Sequence, residues 1–330
     1  MNGMSGAPRK RGISVISMAV AAVLAALLLY YSVRGIDWSQ VGRTIAHASI
    51  GLLAAVLLIS SSTLFLRALR WRILLNAAGE VGVTTVFWAT AVGLFGNNLL
   101  PARAGELVRT LMIDSQTGLG KAYVLATALC EKVADALVLI LISAIVLLAL
   151  SNPPGWLAGA ARPMAIVAAL GAMVIVTLPL IEPVLHRVIQ ASPMPDAWRV
   201  RLISGMQGGL QGLRAFHDLR RLSAFLALTL VIWLVDAVGT VIGGAALGFR
   251  IPIVVAFLLF AGLGVGSALP STPGYVGIYQ FVAVSVLTPF GFSRTDAIAY
   301  ILVAQTLFFV VICFWGSLGL WSYRRRQHAN

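Results

Sequence analysis

Charge is what this sequence has least of. Only 11% of its 330 residues are Asp, Glu, Lys or Arg, against about a quarter in an average soluble domain. So few charges cannot keep the surface of a soluble globular fold polar. Acid is scarcer than base: 11 Asp and Glu stand against 24 Lys and Arg, a formal charge of +13. Cysteine is nearly absent. Cys130 and Cys313 both sit in apolar runs, and no CxxC or Cys/His cluster occurs, which leaves no basis for a disulfide framework, a zinc site or any other bound metal. The four histidines are isolated in connecting segments or the tail. HExxH, a GxGxxG opening a βαβ unit and a P-loop are all missing, so nothing assembles a catalytic centre or a nucleotide cofactor site. No recognition motif accompanies the positive charge, which argues against nucleic acid.

What is present is apolar. Hydrophobic residues make up 59% of the chain, and the mean hydropathy is +0.94. Runs of roughly 20 apolar residues recur, the length that crosses a bilayer as a helix. They cover about 13–33, 48–66, 82–100, 119–150, 163–182, 222–248, 252–270, 276–290 and 297–321. The first follows Arg9-Lys10-Arg11, is too long for a signal-peptide core and lacks a cleavage site, so it reads as a membrane helix. Two runs are broken by Pro and Gly: the stretch Asn97 to Glu106 around Pro101 and Gly105, and the stretch Ala268 to Gly277 around Pro270, Pro273, Gly274 and Gly277. Proline removes a backbone donor and glycine loosens the helix, so each run is expected to turn there.

Basic residues choose between a crossing and a re-entrant turn. If 82–114 dips in from the inside and returns, and 252–289 does so from the outside, most Lys and Arg fall on the inner side, including six arginines of segment 183–221. A full crossing at 82–100 would put those six outside, against the bias of short loops. The expectation is therefore an all-α polytopic membrane protein with six full transmembrane helices and two re-entrant helical hairpins, related as an inverted repeat. It divides into a basic cytoplasmic N-terminus (1–12), one transmembrane domain (13–321) and a basic tail (322–330). The domain has a first half (13–182), a cytoplasmic loop (183–221) and a second half (222–321). Residues 197–217 read equally as a helix on the inner surface or as a solvated connector. Both termini are expected to be cytoplasmic, in a bacterial-type inner membrane.

Ionisable groups at membrane depth are costly and mark function by default. In the first hairpin Arg103, Glu106 and Arg109 share one helix face, and the free amides of the half-helix make an anion site with Arg103. Arginine suits phosphate because its planar fork donates two parallel bonds. In the next helix Glu131 and Asp135 are i, i+4 neighbours, with Lys132 pointing elsewhere. Asp236 lies midway along the helix that begins at Leu222. Arg67, Arg70, Trp71 and Arg72 close the second helix and read as orientation signals, with Arg70 also within reach of lipid phosphate. Thr272 and Gln280 supply neutral polarity in the second hairpin.

These residues carry a resemblance. The string Asn98-Leu-Leu-Pro-Ala-Arg-Ala-Gly-Glu-Leu-Val-Arg109 resembles the signature of the lysylphosphatidylglycerol synthase transmembrane-region family. So do Arg67-x-x-Arg70-Trp71, Glu131-Lys132 with Asp135, and Thr272-Pro273-Gly274-x-x-Gly277. The resemblance implies a multi-helix domain that moves lipids between leaflets. With Asn330 soon after the last helix, the chain is expected to be a standalone member without the aminoacyltransferase domain of the bifunctional proteins. It departs from the pattern in the third stretch, where Tyr275 stands for a second Gly and Gln280 for the usual Glu. That change favours a neutral or anionic headgroup.

The expectation is thus a non-enzymatic lipid flippase whose cargo is a phosphate-bearing lipid or lipid-linked glycan. Its partners are membrane lipids of anionic or polyprenyl-phosphate type. The substrate residues are Arg103, Glu106, Arg109, Glu131, Asp135, Asp236, Thr272 and Gln280, and no cofactor is needed. The alternatives are a membrane transferase using a polyprenyl-phosphate donor and a non-catalytic partner of a lipid-modifying enzyme.

Overall fold

The structure, a computed structural model, describes residues 22–100, 104–150, 159, 161–177, 182–192, 194–268 and 273–329. Among these the secondary structure is entirely helical, with no strand. That is what a chain in lipid requires, because a helix satisfies its backbone polar groups within its own segment. Thirteen α-helices follow in order: α1 (Ala22–Val33), α2 (Trp38–Ala46), α3 (Ile50–Leu75), α4 (Val83–Leu99), α5 (Gly105–Thr117), α6 (Lys121–Ala149), α7 (Ala161–Thr177), α8 (Glu182–Ala191), α9 (Asp196–Arg214), α10 (Leu219–Ala246), α11 (Ile253–Ala268), α12 (Ile278–Leu287) and α13 (Arg294–Ala329).

Three of them, α3, α10 and α13, are long and apolar enough to cross a membrane. At 1.5 Å per residue, the 26 residues of α3 extend about 39 Å, more than a hydrocarbon core of about 30 Å. α6 has 29 residues but carries Lys121, Glu131, Lys132 and Asp135 among its apolar ones. The chain is a polytopic helical membrane protein. α3 and α10 form the most extensive helix pair, and α13 packs on α4. α2 and α10 begin at aspartates: Asp37 accepts from the amides of Ser39 and Gln40, and Asp218 from those of Arg220 and Arg221, which satisfies donors that a helix start leaves open.

Both broken runs fold as helical hairpins. α4 and α5 lie antiparallel, and glycine sets their separation. A Cβ on Gly105 would stand 2.0 Å from the Gly93 carbonyl oxygen, and one on Gly93 would stand 2.9 Å from Arg109 Cδ. α11 and α12 close in the same way, through Gly262 against Val282 and Gly266 against Ile278. At 17, 13, 16 and 10 residues, each hairpin arm is shorter than a full span, the longest about 25 Å. The tip residues 101–103 and 269–272, and with them Pro101 and Pro270, lie outside the described residues. Pro273 begins a short 3-10 turn, followed by left-handed glycines at Gly274 (φ 73°) and Gly277 (φ 89°).

Two differences from the sequence expectation shape the site. α3 runs nine residues past the apolar run that ends at 66, so Arg67 and Arg70, expected to close the helix as orientation signals, lie in its body and face inward. Segment 183–221 is also mostly helical, as α8 and α9. Its C-terminal end is packed rather than solvated, because Leu210, Ala215 and Phe216 are buried, the last two beside Leu74, Cys130 and Phe225.

Candidate functional site

α3 presents Arg67 and Arg70 one helical turn apart. α5 does the same with Glu106 and Arg109, and α6 with Glu131 and Asp135. Residues three or four apart on a helix share a face, and in all three helices that face points inward. Asp236 arrives from α10. The eight charged side chains then alternate in sign along one chain of contacts. Lys132 Nζ lies 3.7 Å from Glu106, and Glu106 pairs with Arg109 at 2.5 Å. Arg109 reaches Glu131 at 3.0 Å, and Glu131 reaches Arg70 at 2.8 Å. Arg70 grips both oxygens of Asp135, while Arg67 lies 3.7 Å from Asp135 and 2.7 Å from Asp236.

The middle of this chain is dry. Arg70 is 0% exposed and Glu131 3%. Arg70 also donates to Thr229 Oγ1, and its guanidinium lies over the Phe225 ring. Arg109 lies 4.3 Å above the Trp71 ring centre, and the Trp71 indole N–H donates to Thr127. All three nitrogens of Arg109 bond to protein oxygens: Nε to Glu106, Nη1 to Glu131 and Nη2 to the Ala128 carbonyl. Charges taken out of water keep their ionised form only when paired and hydrogen-bonded in this way. The centre of the network therefore ties α3, α5, α6 and α10 together.

The ends of the network open onto a cavity. A cavity of about 350 Å³ opens between α3, α10, α13 and both hairpins. Three charged residues line it, Arg67, Lys132 and Asp236, with side chains 23%, 45% and 16% exposed. Thr63, Asn97, Asn98, Thr240, Ser267 and Gln305 add neutral polarity, and Trp233, Tyr275, Tyr279 and Tyr300 add aromatic walls. Asn97 bridges cavity and network by donating to Glu106 at 2.9 Å.

Of the substrate residues named from sequence, Glu106, Arg109, Glu131, Asp135 and Asp236 come together in the network, and Asp236 reaches the cavity wall. Arg103 and Thr272 lie outside the described residues. Gln280 is buried and engaged: its Oε1 accepts from the Gly277 amide at 2.7 Å and its Nε2 donates to Gln305 at 2.6 Å, while Gln305 donates to the Gly274 carbonyl at 3.0 Å. Arg67, Arg70 and Lys132 join the network although the sequence does not place them among the substrate residues. The i, i+3 spacing of Arg67 and Arg70 ahead of Leu74-Leu75 is a legible signal that the helix continues and carries both inward. Nothing along the sequence marks Lys132 as facing a cavity.

A polytopic helical membrane protein with a balanced ionic network behind a polar cavity between its helices is thus defined by fold and site together. Over residues 15–316 the chain matches the lysylphosphatidylglycerol synthase transmembrane region, and it belongs to that family. It is similar to the glycosyltransferase AglD of Haloferax volcanii, with 27% identity over 84% of this chain and 50% of that protein. It is also similar to a UPF0104 membrane protein of Methanothermobacter thermautotrophicus, with 23% identity over 89% of this chain and 90% of that one. The chain thus spans half the length of the first relative and nine tenths of the second.

Proposed function

We propose that the protein translocates a phosphate-bearing lipid, or a lipid-linked glycan, between membrane leaflets. The observation that carries this reading is the cavity, which places an ammonium and a guanidinium, Lys132 and Arg67, where two hairpins and three long helices meet. Ionisable groups facing an interior cavity at membrane depth mark transport paths. Lys132 is the more available of the two. Its 3.7 Å approach to Glu106 is too long for a hydrogen bond, and nearly half of its side chain is open. In this reading the phosphate takes donors from Lys132 and from Arg67, and Asp236 balances Arg67 when the site is empty. The hairpins enter from opposite faces as re-entrant, inverted elements, and the rocking of one against the other exposes the cavity to each leaflet in turn.

Headgroup accessibility in reconstituted vesicles tests this. Lys132→Ala is expected to slow translocation about tenfold, the worth of one charge-assisted contact of about 1.4 kcal/mol, with its melting temperature nearly unchanged. Equal rates for variant and wild type would refute the assignment. A membrane transferase using a polyprenyl-phosphate donor takes its support from the glycosyltransferase relative. It requires product to form in detergent, with no second compartment, and translocation does not.

A further inference from the structure

Beside the charged cavity runs a second space, an apolar groove of about 500 Å³. It opens beside α1 and α13, where half-buried Leu29 and Val33 and exposed Phe309 and Val310 line its mouth. Its inner end shares five residues with the cavity: Asn98, Tyr275, Tyr279, Gln305 and Phe308. The two spaces are therefore neighbours across one wall, polar and charged on one side and hydrocarbon on the other.

Tyr275 stands in that wall with φ at 58°. A bulky side chain in the left-handed region is a genuine outlier, and such conformations persist only where the surroundings over-determine them. The surroundings do so here. Gly274 and Gly277 flank Tyr275 with positive φ of their own, and the Gln280–Gln305 pair fastens the turn at both glycines. Gly277 is pressed against α1 so closely that a Cβ there would stand 2.2 Å from the Ala25 carbonyl oxygen. The Tyr275 ring stacks on that of Tyr279, 4.8 Å between centres and 6° from parallel. The chain thus holds a strained backbone in order to set two parallel rings where the two spaces meet.

We propose that cavity and groove form one site for a single amphipathic molecule, a membrane lipid with a phosphate headgroup in the cavity and a hydrocarbon chain in the groove. Tyr275 is the specificity-determining residue at the junction. This rests on the lipid-transport reading and extends it to the chain and to selectivity. A lipid matches the polarity of the two spaces end to end. A helix of another protein would cover the mouth of the groove and leave the charged inner end unfilled. Parallel rings at the junction limit how wide the headgroup linkage can be as it passes from one space to the other.

Two measurements on the purified full chain separate the claims. In lipid nanodiscs, phosphatidic acid carrying a diazirine midway along one acyl chain is expected to label groove residues of α1 and α13. Unlabelled phosphatidic acid should compete, and Val310→Trp, which fills the mouth, should abolish the label. Labelling spread evenly over the outer surface, or unaltered in Val310→Trp, overturns the groove assignment. So does a crosslink through the groove to a second copy or to a co-purified helix. In vesicles, Tyr275→Gly accepts the left-handed backbone and removes the ring. It is expected to shift the ratio of phosphatidic acid to phosphatidylglycerol translocation about tenfold, a difference of about 1.4 kcal/mol in discrimination. A uniform change in both rates, which a purely structural tyrosine would give, overturns the specificity role. Groove labelling without translocation would defeat the transport reading and leave the lipid site standing. Translocation with the label elsewhere would do the reverse.

Discussion

The two hairpins share a construction and differ in chemistry. In both, glycine lets the arms touch, and in both the arms are too short to cross a bilayer alone. The first hairpin is held to its neighbours by ions: Glu106 and Arg109 plug α5 into α6 and, through Glu131, into α3. The second is held by neutral amides, with Gln280 and Gln305 joining the turn to α13. Ionic fastening is strong but fixed, because separating buried opposite charges leaves each unpaired. Amide fastening is weaker per contact and can be exchanged between partners. The contrast assigns anchoring to the first hairpin and adjustment to the second.

The sharpest way to break this contrast is Arg70→Ala. It removes the cation shared by Glu131 and Asp135, leaving them only Arg109 at 3.0 Å and the more distant Arg67 at 3.7 Å, and is expected to cost about 3–5 kcal/mol, read as loss of the folded monodisperse protein in detergent. Next is a matched pair of glycine substitutions. Gly105→Ala drives a methyl group into the Gly93 backbone and is expected to cost about 3 kcal/mol, read by thermal unfolding. Gly266→Ala meets side chains alone, Ile278 at 2.8 Å and Val282 at 3.2 Å, and is expected to cost about 1 kcal/mol. Equal losses would erase the distinction between a rigid hairpin and a yielding one. The smallest effect belongs to Gln305→Ala. Gln305 lines the cavity, so solvent can replace the bonds that the Gln280 amide and the Gly274 carbonyl lose, an expected loss of about 1 kcal/mol. A much larger drop would show that the second hairpin is as fixed as the first.

Much of this was legible along the chain. Low charge and long apolar runs point to a helical membrane protein, and Pro-Gly interruptions mark both hairpins. The i, i+3 and i, i+4 spacing of acids and arginines places them on common faces of α5 and α6. What periodicity does not carry is pairing between helices. Whether Arg109 meets a ligand or Glu131 depends on how α5 docks on α6, a tertiary outcome set by Gly93 and Gly105. Lys132 illustrates the same limit, since its exposure to the cavity depends on how other helices pack around α6. Arg67 and Arg70 read as orientation signals at the end of α3 when charge alone is weighed, whereas burial shows them to be interior. The ten-residue stretch from Ala68 to Ala77 holds four fully buried residues besides Arg70.

The internal ionic chain contains four cations and four anions. It is electrically neutral although the whole protein carries +13. A transmembrane voltage does about 2.3 kcal/mol of work per 100 mV on each elementary charge carried across. Displaced as a body, the network would feel almost none of it. Under the proposed translocation, voltage would then act on the cargo alone, and current measured during turnover would count the charge that travels with each lipid.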